Sequence, residues 1–139
     1  MTNEVIDFVV VDTNIVAYLT KSSPWSDVYT GLIGDRRIAF SFATIAELLS
    51  AGYEGLRAER LQALLAGCVT SPQSEATLTW FSLAVEKRNE LGYKGSVGDN
   101  DLWILAAAGE HQVPLVTHDT RQRDIARALG VEVLTALPD

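Results

Sequence analysis

The chain has 139 residues, 47% hydrophobic and 21% charged, with a formal net charge of -7. That length suits a single domain spanning residues 1–139, and the balance excludes a disordered or fibrous chain. No stretch approaches the roughly 20 apolar residues needed to span a membrane, and the acidity excludes a general basic surface for gripping nucleic acid. Met1-Thr2-Asn3-Glu4 lacks the positive n-region of a secretory leader, and Cys68 is the only cysteine, which leaves no intrachain disulfide. A soluble cytoplasmic protein is expected.

Phe8-Val9-Val10-Val11 is unbroken and apolar, the pattern of a strand buried on both faces in the middle of a parallel sheet. Asp12-Thr13-Asn14 supplies helix-starting residues ahead of Ile15, Val16 and Leu19. Pro24 marks the first turn of a second helix through Trp25, Val28, Leu32 and Ile33, ended by Gly34-Asp35. Ile38 to Phe42 reads as the second strand, and Thr44 opens a helix whose Ile45, Leu48, Leu49 and Tyr53 share a face. Leu56, Leu61, Leu64 and Leu65 mark another helix that stops at Gly67, before a brief third strand at Cys68-Val69.

The longest helical pattern runs from Ser74 to Leu91, with Leu78, Trp80, Phe81 and Val85 inward, and Gly92 to Gly98 is a loop. Asp101 opens a helix through Leu102, Ile104, Leu105 and Ala108; Leu115-Val116-Thr117 is a strand, Ile125 to Leu129 a helix, and Val131 to Leu134 a last strand. Short apolar strands alternating with amphipathic helices imply an α/β three-layer sandwich, its mostly parallel central sheet flanked by helices. The short basic groups Arg36-Arg37, Lys87-Arg88, Lys94 and Arg121/Arg123/Arg127 read as solvated faces.

Four acids stand near helix starts: Asp12 after Val9-Val10-Val11, Glu47 after Phe40-Ser41-Phe42, Asp101 before Leu102-Trp103-Ile104, and Asp119 after Leu115-Val116-Thr117. Singly, each has a structural use. Asp12, Asp101 and Asp119 suit helix N-termini, and Thr44-Ile45-Ala46-Glu47 has the spacing of a capping box. In an open parallel sheet, however, every strand's carboxyl end lies at one edge, which collects Asp12, Glu47 and Asp119. The place of Asp101 depends on the course of the loop before it. Two carboxylates about 4 Å apart repel by roughly 4 kcal/mol at an effective dielectric of about 20, more than the ~1 kcal/mol of a cap. Such a cluster needs a cation or a proton.

Oxygen donors without His or Cys partners select Mg²⁺ or Mn²⁺ over zinc. His111 and His118 are too separated for a zinc site, and His118 reads as an exposed turn residue. The chemistry that fits is hydrolysis of a phosphodiester by an activated water. Asn14 and Thr117 are candidate hydrogen-bond partners of the acids or of metal waters, Asp99 is assigned to helix capping, and Trp25, Trp80 and Trp103 to the core or a subunit interface.

With these residues in place, the chain resembles the PIN-domain family, especially the small bacterial and archaeal VapC-type toxins of toxin-antitoxin pairs. The segments that bear the resemblance are Val9-Val10-Val11-Asp12-Thr13-Asn14, Thr44-Ile45-Ala46-Glu47-Leu48, Asn100-Asp101-Leu102-Trp103-Ile104-Leu105-Ala106 and Leu115-Val116-Thr117-His118-Asp119. The resemblance implies a PIN-like fold and a Mg²⁺- or Mn²⁺-dependent endoribonuclease acting on RNA. It makes Asp12, Glu47, Asp101 and Asp119 the catalytic and metal-binding quartet, Asp12 and Asp101 first among them. It also implies a homodimer, and a cognate antitoxin protein whose C-terminal segment covers the acidic groove. The chain departs from the family pattern at Ile104-Leu105-Ala106, usually Ile-Ala-Ala, and at Thr120-Arg121-Gln122, where an aromatic is usual. The alternatives are a non-catalytic cation-binding regulatory domain, for which a receiver's acidic pair and downstream lysine are not at matching positions, and an inactive PIN-like interaction subunit, against which the four acids argue.

Overall fold

The apolar run at the start of the chain forms the middle of a sheet. A computed structural model describes residues 7–139; Met1-Thr2-Asn3-Glu4, read above for a leader, lies outside the described residues. In chain order the elements are β1 (Phe8–Val11), α1 (Thr13–Thr20), α2 (Pro24–Ile33), β2 (Arg37–Ser41), α3 (Phe42–Ala51), α4 (Gly55–Ala66) and β3 (Val69–Ser71). They continue with α5 (Glu75–Glu90), α6 (Asp99–His111), β4 (Leu115–Val116), α7 (Thr120–Ala128) and β5 (Val133–Leu134). The sheet order is β3-β2-β1-β4-β5 and every neighbouring pair is parallel.

Val9, Val10 and Val11 are all 0% exposed because β1 is covered on both faces. Strand alternation sorts their side chains into two cores. Val10 packs with Ala39, Leu115, Leu102, Leu105, Ala108 and Ile125, in the layer of α5, α6 and α7. Val9 and Val11 pack with Ile15, Val16, Tyr29, Ile33, Phe40 and Leu61, in the layer of α1, α2 and α4. Among the described residues no helix is long and apolar enough to cross a membrane.

Helix α6 is buried along most of its length, from Leu102 through Gly109, which is how a helix apolar on nearly all sides is accommodated. Gly109 allows the close approach of α5: a Cβ there would lie 2.4 Å from Cε3 of Trp80. On α5 itself, Leu78 is exposed rather than inward, and the buried face is built from Thr77, Ala84 and Arg88. Arg88 is thus no solvated-face residue. Its Nη1 donates to the Val97 carbonyl at 3.1 Å and to Asp99 Oδ1 at 3.2 Å, so the guanidinium fastens the loop before α6 to α5.

Three helix starts lie earlier than the spacing predicts. Strand β2 stops at Ser41, whose hydroxyl accepts from the Ala43 amide at 3.2 Å, so α3 begins at Phe42 and not at Thr44. The capping box of Thr44 with Glu47 therefore does not form, and Glu47 lies in the second turn, free of that duty. Helix α7 begins at Thr120 and not at Ile125, because Asp119 accepts from the amides of Arg121 and Gln122. Asp101 is the third residue of α6 rather than its opener, and Asp99 is the first, with Gly98 as N-cap.

Candidate metal centre

The chain leaves β1 into α1 and α2 on one face of the sheet and leaves β4 into α7 on the other. Two adjacent strands whose connections part in this way open a crevice at their carboxyl ends, the usual ligand position in an open α/β sheet. The last rungs of the ladder set that edge: the Asp12 amide donates to the Val116 carbonyl at 3.0 Å, and the Thr117 amide to the Leu134 carbonyl at 3.3 Å. Asp12 and Thr117 consequently sit side by side at the crevice floor.

Asp12 is 2% exposed, and each carboxylate oxygen has a donor. Oδ1 accepts from the Asn14 amide at 2.7 Å and Oδ2 from the Thr117 hydroxyl at 2.6 Å. Asn14 therefore meets the acid through its main chain, while its side chain is exposed. Thr117 does more: the hydroxyl that donates to Asp12 also accepts from the Asp119 amide at 3.1 Å, linking two of the acids. Asp119 Oδ1 is taken up by the Arg121 and Gln122 amides, at 2.8 and 3.0 Å, and Oδ2 has no hydrogen-bond partner among the described residues.

Electrostatics report the convergence that the sequence left open for Asp101. Its pKa is pushed up from 3.8 to about 6, first by burial and then by the negative charges of Asp12, Asp119 and Glu47, against a smaller opposing main-chain contact from Gly98. Burial also raises Asp12, opposed by the Thr117 and Asn14 hydrogen bonds and reinforced by Asp119. All four acids thus share one field, although no group of three or more His, Cys, Asp or Glu among the described residues is already placed to hold a metal ion. Glu47 borders an open groove with Ala46, Ser50, Ala51 and Asn100, so it reaches the centre from its rim.

Two contributors to the site, and the setting of one neighbour, were not read from the sequence. Gln122 is fully buried and its Nε2 donates to the Asp101 carbonyl at 3.0 Å. Arg88 holds the loop that delivers Asp101. His118, expected as an exposed turn residue, is half-buried, with its ring against Trp25 at 4.5 Å and Tyr29 at 5.5 Å, and Nδ1 hydrogen-bonded to the Tyr29 hydroxyl. Only the alternation of Thr117, His118 and Asp119 along an extended segment could have signalled that His118 turns away from the acids.

A PIN-domain family profile matches residues 9–128. The chain belongs to the PIN-domain family. It is 30% identical over 121 residues to Ribonuclease VapC1 of Haemophilus influenzae, covering 81% of this chain and 87% of that one. It is 34% identical over 110 residues to Ribonuclease VapC5 of Mycobacterium tuberculosis, covering 74% and 78%. A crystal structure of VapBC-5, a toxin-antitoxin system of Mycobacterium tuberculosis, superposes with a TM-score of 0.69 at 27% identity, covering 93% of this chain and 98% of that one.

The donor set of this PIN domain suits a hard, hydrated dication. The donors are all carboxylate oxygens, and the nearest imidazole is turned into the aromatic cluster. Buried side-chain atoms without a partner among the described residues include Thr13 Oγ1, Thr44 Oγ1 and Gln122 Oε1. Thr13 follows Asp12, Thr44 is one turn before Glu47, and Gln122 one turn after Asp119. Unsatisfied buried polar atoms in these segments are where ordered water is expected. A cavity of about 720 Å³ lies elsewhere, lined by Asp7, Phe8, Arg36, His111 and Pro114 among others, whereas Glu47 borders an open groove, a surface suited to a polymer rather than to an enclosed small molecule.

Proposed function

We propose that this PIN domain is a Mg²⁺- or Mn²⁺-dependent endoribonuclease that hydrolyses RNA phosphodiester bonds, the toxin of a type II toxin-antitoxin pair. The observation that carries this reading is the field on Asp101, raised by burial and by three other carboxylates at the switch-point edge. The similarity to ribonucleases named VapC supports the reaction class. Asp12 and Asp101 are the principal ligands, with Asp119 through its free Oδ2 and Glu47 from the rim. When bound, the cation supplies Lewis-acid stabilisation of phosphate charge and makes water a stronger nucleophile at neutral pH.

The side chains supply position and proton handling. Asp12 is pinned through both oxygens, so its orientation does not change as substrate arrives. Asp119 Oδ1 is held by two amides, which fixes the carboxylate and leaves Oδ2 for the cation. Water oxygen bonds to phosphorus, the bond from phosphorus to the leaving ribose oxygen breaks, the water proton passes to solvent through the acid edge, and the leaving oxygen takes a proton from solvent to become a hydroxyl. The open crevice admits an RNA strand without a lid.

The partner of this domain is an antitoxin protein bearing basic side chains, which complement both the acid crevice and a chain of net charge -7. Support comes from the solved VapBC relatives, which are toxin-antitoxin systems. We assign a homodimer acting in the cytoplasm, residues 1–139 forming one nuclease domain, and the lone Cys68 suits that reducing compartment. The test is cleavage of RNA with Mg²⁺ or Mn²⁺, with EDTA and Asp101→Asn as controls. Metal-dependent cleavage that the variant loses is expected; equal cleavage by the variant refutes the assignment, and cation binding without cleavage favours a regulatory module.

A further inference from the structure

Gln122 is 1% exposed on the first turn of α7, a position where a large polar side chain has to be explained. It touches two of the four acids in different ways. Its main-chain amide donates to Asp119 Oδ1 at 3.0 Å, and its side-chain Nε2 donates to the main-chain carbonyl of Asp101, also at 3.0 Å. One residue therefore spans the gap between α7, which carries Asp119 at its cap, and α6, which carries Asp101.

The orientation of the amide follows from its partner. The Asp101 carbonyl only accepts, so Nε2 must face it; exchanging the two ends would set oxygen against oxygen. Oε1 is then the atom left over, buried and without a partner among the described residues. A buried acceptor left in this state costs about 1–3 kcal/mol, and no donor among the described residues is within reach. Water is the donor that remains.

We propose that Gln122 is a positioning residue for the metal centre: it sets the separation of Asp101 from Asp119 by bracing α6 against α7, and its Oε1 anchors a buried water beside them. This rests on the reading of the acids as metal ligands. The brace joins the first turn of α7 to the first turn of α6. Its effect is on the spacing of ligands, not on the reacting atoms, and outer partners of ligands typically alter metal affinity or activity by 10–100-fold.

The experiment compares Mn²⁺ binding by the full chain, followed by electron paramagnetic resonance of the free ion, with that of Gln122→Met and Asp101→Asn. Methionine keeps the volume and removes both polar ends. Expected is a folded Gln122→Met protein whose Mn²⁺ affinity falls about 10–100-fold, with cleavage partly restored at high Mn²⁺ and little change in KM for RNA. Unchanged Mn²⁺ affinity in Gln122→Met, whether or not its melting temperature drops, overturns the inference while Asp101→Asn still abolishes binding. No Mn²⁺ binding by the unaltered chain overturns the metal reading and this inference with it. A measurement that needs no variant is the Gln122 side-chain amide resonance, expected to exchange slowly and to shift during a Mg²⁺ titration. A resonance that exchanges fast and does not move contradicts the brace.

Discussion

Two carboxylates on α6, one near each end, are driven in opposite directions by their surroundings. Glu110 lies near the C-terminus of the helix, where the dipole disfavours negative charge, yet its pKa is lowered. Burial pushes it up, but hydrogen bonds from Ser74 and Thr77 and the nearby His111 outweigh that. Ser74 Oγ donates to Oε1 at 2.6 Å and Thr77 Oγ1 to Oε2 at 2.5 Å, while His111 is held in turn by Ser71 at 2.7 Å. Asp101 lies near the N-terminus, where the dipole favours charge, yet its pKa is raised to about 6 by burial and three like charges. One acid is surrounded by donors and the other by acids. The first arrangement joins β3 and α5 to the end of α6, and the second keeps an unmet demand for positive charge, which is what a ligand site requires.

The sharpest way to break this contrast is to neutralise each acid. Asp101→Asn is expected to lower metal-dependent RNA cleavage by at least about a hundredfold, beyond the usual range for a group outside the ligand shell, whereas Glu110→Gln leaves turnover intact; initial rates at saturating Mg²⁺ decide. Thr117→Val comes next. It removes the hydroxyl that joins Asp12 to Asp119, so metal affinity is expected to fall about 10–100-fold with the fold retained, measured by Mn²⁺ titration.

Stability separates the pair in the reverse sense. Glu110→Gln replaces an ionic acceptor that two hydroxyls serve and is expected to cost about 1 kcal/mol in urea unfolding. Asp101→Asn is expected to raise the melting temperature of the metal-free protein at pH 7, because it removes a charge that its neighbours oppose. The pH dependence has opposite signs. Asp101 binds a proton more tightly when folded, so its contribution is present below its ordinary value of 3.8 and is lost as pH rises through about 6. Glu110 binds its proton less tightly when folded, so its contribution is present above its ordinary value of 4.5 and is lost as pH falls below it. Urea midpoints of the two variants and the unaltered chain, taken from pH 4 to 7 without metal, are expected to show these slopes; parallel curves would remove the distinction.

The elements of this fold were legible wherever a local pattern sufficed. The valine run placed β1 at the sheet centre, and Pro24 and Gly34 bounded α2. Boundaries drifted where a single polar side chain decided them, as Ser41 did for α3 and Asp119 for α7. Of the site, the strand ends were readable because topology sends Asp12 and Asp119 to one edge. The delivery of Asp101 was not, since it depends on Arg88, an arginine whose sequence neighbours suggested solvent and whose partners lie across a loop. Gln122 was invisible for the same reason, since its role is set by contact with α6, and for His118 alternation along the strand end signals only the direction, not the contact with α2.

The proposed reaction requires that the acids at the carboxyl edge of the sheet hold a divalent cation. A crystal structure of the chain soaked in Mg²⁺ tests it most directly. Expected is an ion with carboxylate oxygens of Asp12 and Asp101 about 2.0–2.1 Å away and water completing an octahedral shell. Asp12 and Asp101 left without the ion at a concentration that supports cleavage, or an ion bound only by other residues, would contradict it.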